Sequence, residues 1–199
     1  MKRVETKELI SGIHDLSHDL EECPSLLFNA FIFNRDAFVN AAEIIIKKAR
    51  ETEKELTDEL IEASQSDNTA RLYSPIPSHI ERIAGNFEHI ARSIRTKIKD
   101  NLLFSDKAVS ELNFLFQRTG EILNATGDLI LARNRFLANY ITESELEIER
   151  SANQYATLHE ERLIEGICLP KSSGLYIVML DSIKRIAWNA KEIAEKLTR

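Results

Sequence analysis

Proline and glycine are scarce in this chain, four and six in 199 residues, so little in it interrupts regular backbone structure. Cysteine occurs only at Cys23 and Cys168, far apart and without His or Cys neighbours at metal spacing. That excludes a disulfide framework and a zinc finger, and both residues read as thiols of a reducing compartment. No apolar run approaches the ~20 residues that span a bilayer. The start, Met1-Lys2-Arg3-Val4-Glu5-Thr6-Lys7-Glu8, turns acidic where a signal peptide needs its apolar stretch. An excess of positive charge is missing too. The formal net charge is −6, which gives no bulk attraction for nucleic acid or an anionic membrane. The runs Lys47-Lys48 and Lys97-Ile98-Lys99 are short, broken by acids, and read as solvated helix faces. Absent as well are a Gly-rich phosphate loop, a Gly-x-Ser-x-Gly turn and any Glu-x-x-His. Their absence removes the sequence-level basis for nucleotide binding, a serine hydrolase and a di-iron carboxylate bundle.

What remains is a helix-forming composition, 43% hydrophobic and 29% charged, and it contains a repeat. Ile80-Glu-Arg-Ile-Ala-Gly-Asn-Phe-Glu-His-Ile-Ala91 and Ile183-Lys-Arg-Ile-Ala-Trp-Asn-Ala-Lys-Glu-Ile-Ala194 agree at seven of twelve positions, with an offset of 183 − 80 = 103. Asp58-Glu-Leu-Ile-Glu-Ala63 and Glu161-Arg-Leu-Ile-Glu-Gly166 share the same offset, 161 − 58 = 103. In the second half the periodicity predicts a helix from Ser105 to Tyr140, with apolar positions at Ala108, Leu112, Leu115, Ile122 and Leu129. A second helix runs from Thr142, in a capping box with Glu145, to Cys168 before Pro170. A third runs from Ser173 to Leu197, with a seam of Tyr176, Leu180, Ile183, Ala187, Ala190, Ala194 and Leu197. Shifting back by 103 predicts helices near 2–37, 39–65 and 70–94. Asn34 and Asp36 offer turn chemistry at the first junction, and Pro24 interrupts the first helix near Glu22 and Cys23. The third helix is more specifically expected to start at Ser78, in a capping box with Glu81, carrying a stripe of Ile80, Ile83, Phe87, Ile90, Ile94 and Ile98. The expectation is an all-α protein of tandem duplicated three-helix bundles with spectrin-repeat-like packing. Residues 1–101 form one repeat and 102–199 the other.

The segment His79-Ile-Glu-Arg-Ile-Ala-Gly-Asn-Phe-Glu-His-Ile-Ala-Arg92 resembles the third-helix signature of the PhoU family, and the copy from Asp181 to Ala194 fills the signature's second slot. The stretch His159–Ala194 is similar to the PhoU-like tail of sodium/phosphate cotransporters. The resemblance covers most of the chain in outline and is specific in the two third helices and the middle helix of the second half. It implies a non-enzymatic cytoplasmic regulator, free or at the inner face of the membrane. Such a regulator binds a membrane phosphate transporter or an associated sensor. It also implies an acidic-x-x-x-Asp motif that holds iron or zinc clusters, since carboxylates at i and i+4 share a helix face. Here Glu81 is retained, but Gly85 stands in place of the Asp, and Lys184 and Trp188 occupy both positions of the second copy. Those residues argue against the family's cluster, and no cofactor is expected.

Other candidates are weaker. His14, Asp15, His18 and Asp19 put two imidazoles and two carboxylates one helical turn apart, yet a metal site needs ligands from a second element. These four, or the acids Glu145 and Glu149, are the ion-holding residues of an alternative reading as a metal-binding bundle. Arg82 and Arg185 hold equivalent positions and suit interhelical ion pairs or contact with phosphate, and are weak candidates for partner binding. Asn86 and Asn189 suit buried register-fixing roles, and Trp188 suits either a docking anchor or the packing between bundles. A third reading is a self-associating scaffold with no phosphate connection, and a homo-oligomer is compatible with each.

Overall fold

A computed structural model describes residues 5–198, so residues 2–4 of the expected first helix lie outside the described part. The chain forms α1 (Thr6–Asp19), a 3-10 turn (Leu20–Glu22), α2 (Cys23–Phe33), α3 (Asp36–Ser64), α4 (Asn68–Tyr73), α5 (Ile76–Lys99), α6 (Asp106–Ala132), α7 (Arg135–Ile164) and α8 (Pro170–Leu197). The all-α expectation holds. Pro24 acts as expected: it sits in the first turn of α2, directly after the 3-10 turn that ends α1, where its missing N–H breaks no helical bond.

Several boundaries move. Helix α6 stops at Ala132 instead of Tyr140, because Arg133 turns left-handed at φ 46. Asn134 then caps α7, its Oδ1 accepting from the Phe136 N–H at 2.8 Å. Thr142 is an interior residue whose hydroxyl donates to the Ala138 carbonyl at 2.9 Å. Helix α5 starts at Ile76, two residues before Ser78, and the Ser78 hydroxyl donates to the Pro75 carbonyl. Neither expected capping box forms. Ser105 does cap α6, accepting from the Ala108 N–H at 3.2 Å. Helix α3 begins at Asp36, after Asn34 closes α2 at φ 52. Pro170 opens α8 from within its first turn.

Burial corrects the repeat register. Leu9 and Ala108, Ile13 and Leu112, Leu20 and Thr119, Leu27 and Thr126, Ala30 and Leu129 are all buried pairs, 99 positions apart (108 − 9). The second helices keep that offset: Val39 and Ala138, Ala42 and Ile141, Ala49 and Ile148, Leu60 and His159 are buried alike. The third helices keep 103, through Ile80 and Ile183, Phe87 and Ala190, Ile94 and Leu197, and Tyr73 of α4 matches Tyr176 at the same offset. The match of 58–63 to 161–166 therefore does not join equivalent positions. Helix α7 ends with 161–164 and residues 165 and 166 lie beyond it, whereas 58–63 lies wholly inside α3. The four-residue difference falls between the second and third helices.

Both halves share one core, running from Leu9 to Leu197. Helices α5 and α8 pack against each other more extensively than any other pair, and α1 and α2 lie on α6. Helices α3 and α7 cover the outer faces. Ala187, Ala190 and Ala194 of α8 and Ile80, Ile83, Phe87 and Ile90 of α5 are all buried.

Candidate functional site

The two third-helix signatures meet on this α5–α8 seam. His79 of α5 approaches Asn189 of α8, Nδ1 to Oδ1 at 3.0 Å, with both residues buried. Asn189 also donates to the Arg185 carbonyl at 2.8 Å, and Asn86 donates to the Arg82 carbonyl at 2.7 Å. Each asparagine thus satisfies its own helix four residues back, and only Asn189 reaches across. Burial is the main cause that holds His79 below the ordinary histidine value, so the ring is neutral at neutral pH.

Beside this pair, α5, α7 and α8 enclose a cleft of 480 Å³. Helix α5 contributes Arg82 and Asn86, α7 contributes Glu145 and Glu149, and α8 contributes Asp181, Lys184, Arg185 and Trp188. The structure therefore gathers Arg82, Arg185, Trp188, Lys184, Glu145 and Glu149 in one place, from three elements whose lining residues lie 32 to 107 positions apart (181 − 149 from α7 to α8, and 189 − 82 across the seam). Arg185 pairs with Asp181 on its own helix at 2.8 Å instead of bridging helices. Lys184 donates to Asn153 Oδ1 at 3.0 Å and lies 3.9 Å from Asp181. Arg82 makes no ion pair among the described residues. Trp188 is 43% exposed, with its ring 6.4 Å from that of His79, so it lines an open surface and does not fill the interior. Glu145 is 4% exposed and lies 3.1 Å from the Lys191 ammonium, though out of hydrogen-bond alignment.

The first half treats the corresponding place differently. Arg50 of α3 reaches over and pairs with Glu81 at 3.2 Å and with Glu88 at 2.9 Å. Gly85 has open space where its side chain would be. With a guanidinium on Glu81, an ammonium at 184 and an indole at 188, carboxylates do not converge at either copy. Among the described residues no three His, Cys, Asp or Glu side chains converge for a metal ion.

The His14 cluster also dissolves into surface pairs. The His14 and His18 rings stack at 6.0 Å, His18 turns to Glu21 at 3.0 Å, and Asp19 is taken by Lys48 at 2.6 Å. Asp15 is exposed and 3.1 Å from His14. Ile13, Leu16 and Leu20 of the same stretch face the core.

One polar group was not legible in the sequence. Glu111 of α6, 2% exposed, takes both Nη atoms of Arg162 at 2.9 and 2.8 Å and the Tyr176 hydroxyl at 2.5 Å. His159 stacks on Tyr176 at 4.5 Å. The only sequence signal was the placement of a Glu and a Tyr on apolar seams.

No family model and no curated protein matches the chain. Solved structures do. PhoU from Pseudomonas aeruginosa superposes with a TM-score of 0.86 at 15% identity, over 96% of this chain and 94% of that one. The phosphate transport system regulatory protein PhoU from Streptococcus pneumoniae superposes with a TM-score of 0.84 at 13% identity, over 96% and 92%. The chain has the PhoU fold. The likeness spans both three-helix units, so it covers the α5–α8 seam and the cleft beside it. In this PhoU fold the third helices meet through an asparagine, a histidine and a tryptophan-lined opening.

Proposed function

We propose that this protein regulates phosphate uptake without chemistry of its own, by docking on a membrane phosphate transporter or the sensor attached to it. The observation that carries this reading is the end-to-end likeness to two PhoU structures, one of them named a phosphate transport system regulatory protein. No described helix is long and apolar enough to cross a membrane, which fits a protein that meets its partner at the inner membrane face from the cytoplasm. Two repeats, residues 1–101 and 102–199, act as one rigid body, and the cleft beside the seam is the docking face. Trp188 is its apolar anchor, with Arg82 and Arg185 at the rim. No iron or zinc cluster takes part, because the positions that would hold one carry Gly85, Lys184 and Trp188 beside an Arg50-bound Glu81.

Deleting the gene and measuring uptake of labelled phosphate in starved and replete cells tests the role. Lost control of uptake, restored by the wild-type chain, supports it. Unchanged uptake in both conditions overturns it. A Trp188→Ala chain that folds normally should capture the transporter about tenfold more weakly, the loss of one buried aromatic anchor. Equal capture would move the docking face elsewhere.

A further inference from the structure

At the far end of the second unit a cavity of 260 Å³ opens between the 100–105 connection and the loop that follows α7. Cys168 and His159 line it together, although nine positions separate them in sequence (168 − 159). His159 is 3% exposed, and neither of its ring nitrogens has a hydrogen-bond partner. Arg162 spends both Nη atoms on Glu111 and leaves its buried Nε without a partner. The Cys168 N–H donates to the Arg162 carbonyl at 3.3 Å, which brings the two residues together. Buried donors and acceptors are seldom left unfilled without a functional reason or an unseen occupant. Here the two on His159 share a cavity with one thiol. The rim is apolar, with Leu103, Ile167 and Leu169 exposed at 72%, 60% and 58%, which favours an uncharged visitor.

We propose that Cys168 is a site of reversible oxidation by small uncharged hydroperoxides, with His159 and Arg162 holding the oxidised product. The Cys168 sulfur attacks one peroxide oxygen, so an S–O bond forms as the O–O bond breaks. Sulfur is oxidised by two electrons and the peroxide is reduced. The thiol proton leaves with the departing hydroxide as water, or with the alkoxide as an alcohol. The resulting sulfenic acid needs a hydrogen-bond partner, and one nitrogen of a neutral imidazole supplies it, as donor or as acceptor. Burial first, and the Arg162 charge second, hold His159 below the usual histidine range and so keep it neutral. The Arg162 Nε–H is free to donate to the sulfenate oxygen. Cys23 is an internal control: it is fully buried and burial pushes its thiol up to about 12, which makes it inert.

The full-length protein is treated with hydrogen peroxide or cumene hydroperoxide, quenched, trapped with dimedone and mapped by peptide mass. Label should appear on Cys168 and not on Cys23, about tenfold faster in the folded protein than in the same chain unfolded in urea at the same pH. His159→Gln, with an unchanged circular dichroism spectrum, should return the rate to that of the unfolded chain. Equal rates for folded and unfolded Cys168 would overturn the proposal, and that comparison needs no variant. An unaltered rate in a folded His159→Gln protein would overturn it equally.

Discussion

Position 111 holds a carboxylate that is almost wholly out of water and satisfied on both oxygens by Arg162 and Tyr176. Removing one partner of such a pair leaves the other buried and uncompensated, a larger loss than the pair's net worth. Glu111→Ala should therefore cost about 3–5 kcal/mol, seen as a lower urea midpoint at unchanged slope. A change near the 0–1 kcal/mol of a surface pair would show that water reaches Arg162. Histidines set the acid response at the same scale. His79 and His159 are held low by burial, so the unfolded chain takes up their protons as pH falls through 6.5 while the folded chain does not. The state that binds more protons gains on acidification, so stability falls from that point. Glu43, lowered by its bond to Arg95, contributes fully above 4.5 and loses its contribution only as pH falls below it. His18, raised by Glu21, runs the opposite way but is solvent-exposed and screened. The urea midpoint should be lower at about pH 5.5 than at about pH 7.5, and His79→Gln with His159→Gln should flatten that interval. An unchanged slope in the double variant would assign the pH response to other groups.

Among the elements, α5 carries a weakness that packing does not require. Gly85 sits in the helix interior with open space at its missing Cβ. Gly85→Ala should raise stability by about 0.5–1 kcal/mol through helix propensity and lower unfolded-state entropy; thermal melts would show a higher midpoint, and a lower one would reveal a neighbour on that face. Helix ends depended on single residues of modest sequence signal. Asn34 and Arg133, 99 positions apart, both turn left-handed to close equivalent helices. The asparagine was readable as a turn residue, but an arginine in that conformation was not, because nothing in its chemistry favours a positive φ. Thr142 and Ser78 had the right spacing for capping boxes and lie inside helices instead, where Thr142 bonds to the carbonyl four residues back and Ser78 to the one three residues back.

For the whole molecule, the shared core predicts one cooperative transition. Far-UV circular dichroism reports all the helices, whereas the fluorescence of Trp188 reports the α5–α8 seam. The two should give coincident urea curves. Separated midpoints would mean that one three-helix unit survives the loss of the other. Expressed alone, residues 1–101 should lack a cooperative transition, because α5 would expose the Ile80–Ile94 stripe that α8 covers.

Apolar spacing by itself determined the helical class, the seam of α8 and the inward face of α1, because burial follows the 3.6-residue period whatever the partner. The third-helix repeat was equally plain, since its two copies pack on each other and kept their pattern. Only the tertiary structure decided the register of the other helices, the assembly of the Trp188 cleft and the Glu111 group. Those depend on which faces meet across 50 to 110 positions of chain, as in Glu111 to Arg162 and His79 to Asn189. A local pattern cannot carry that information, since any apolar stripe of the right period would cover any other.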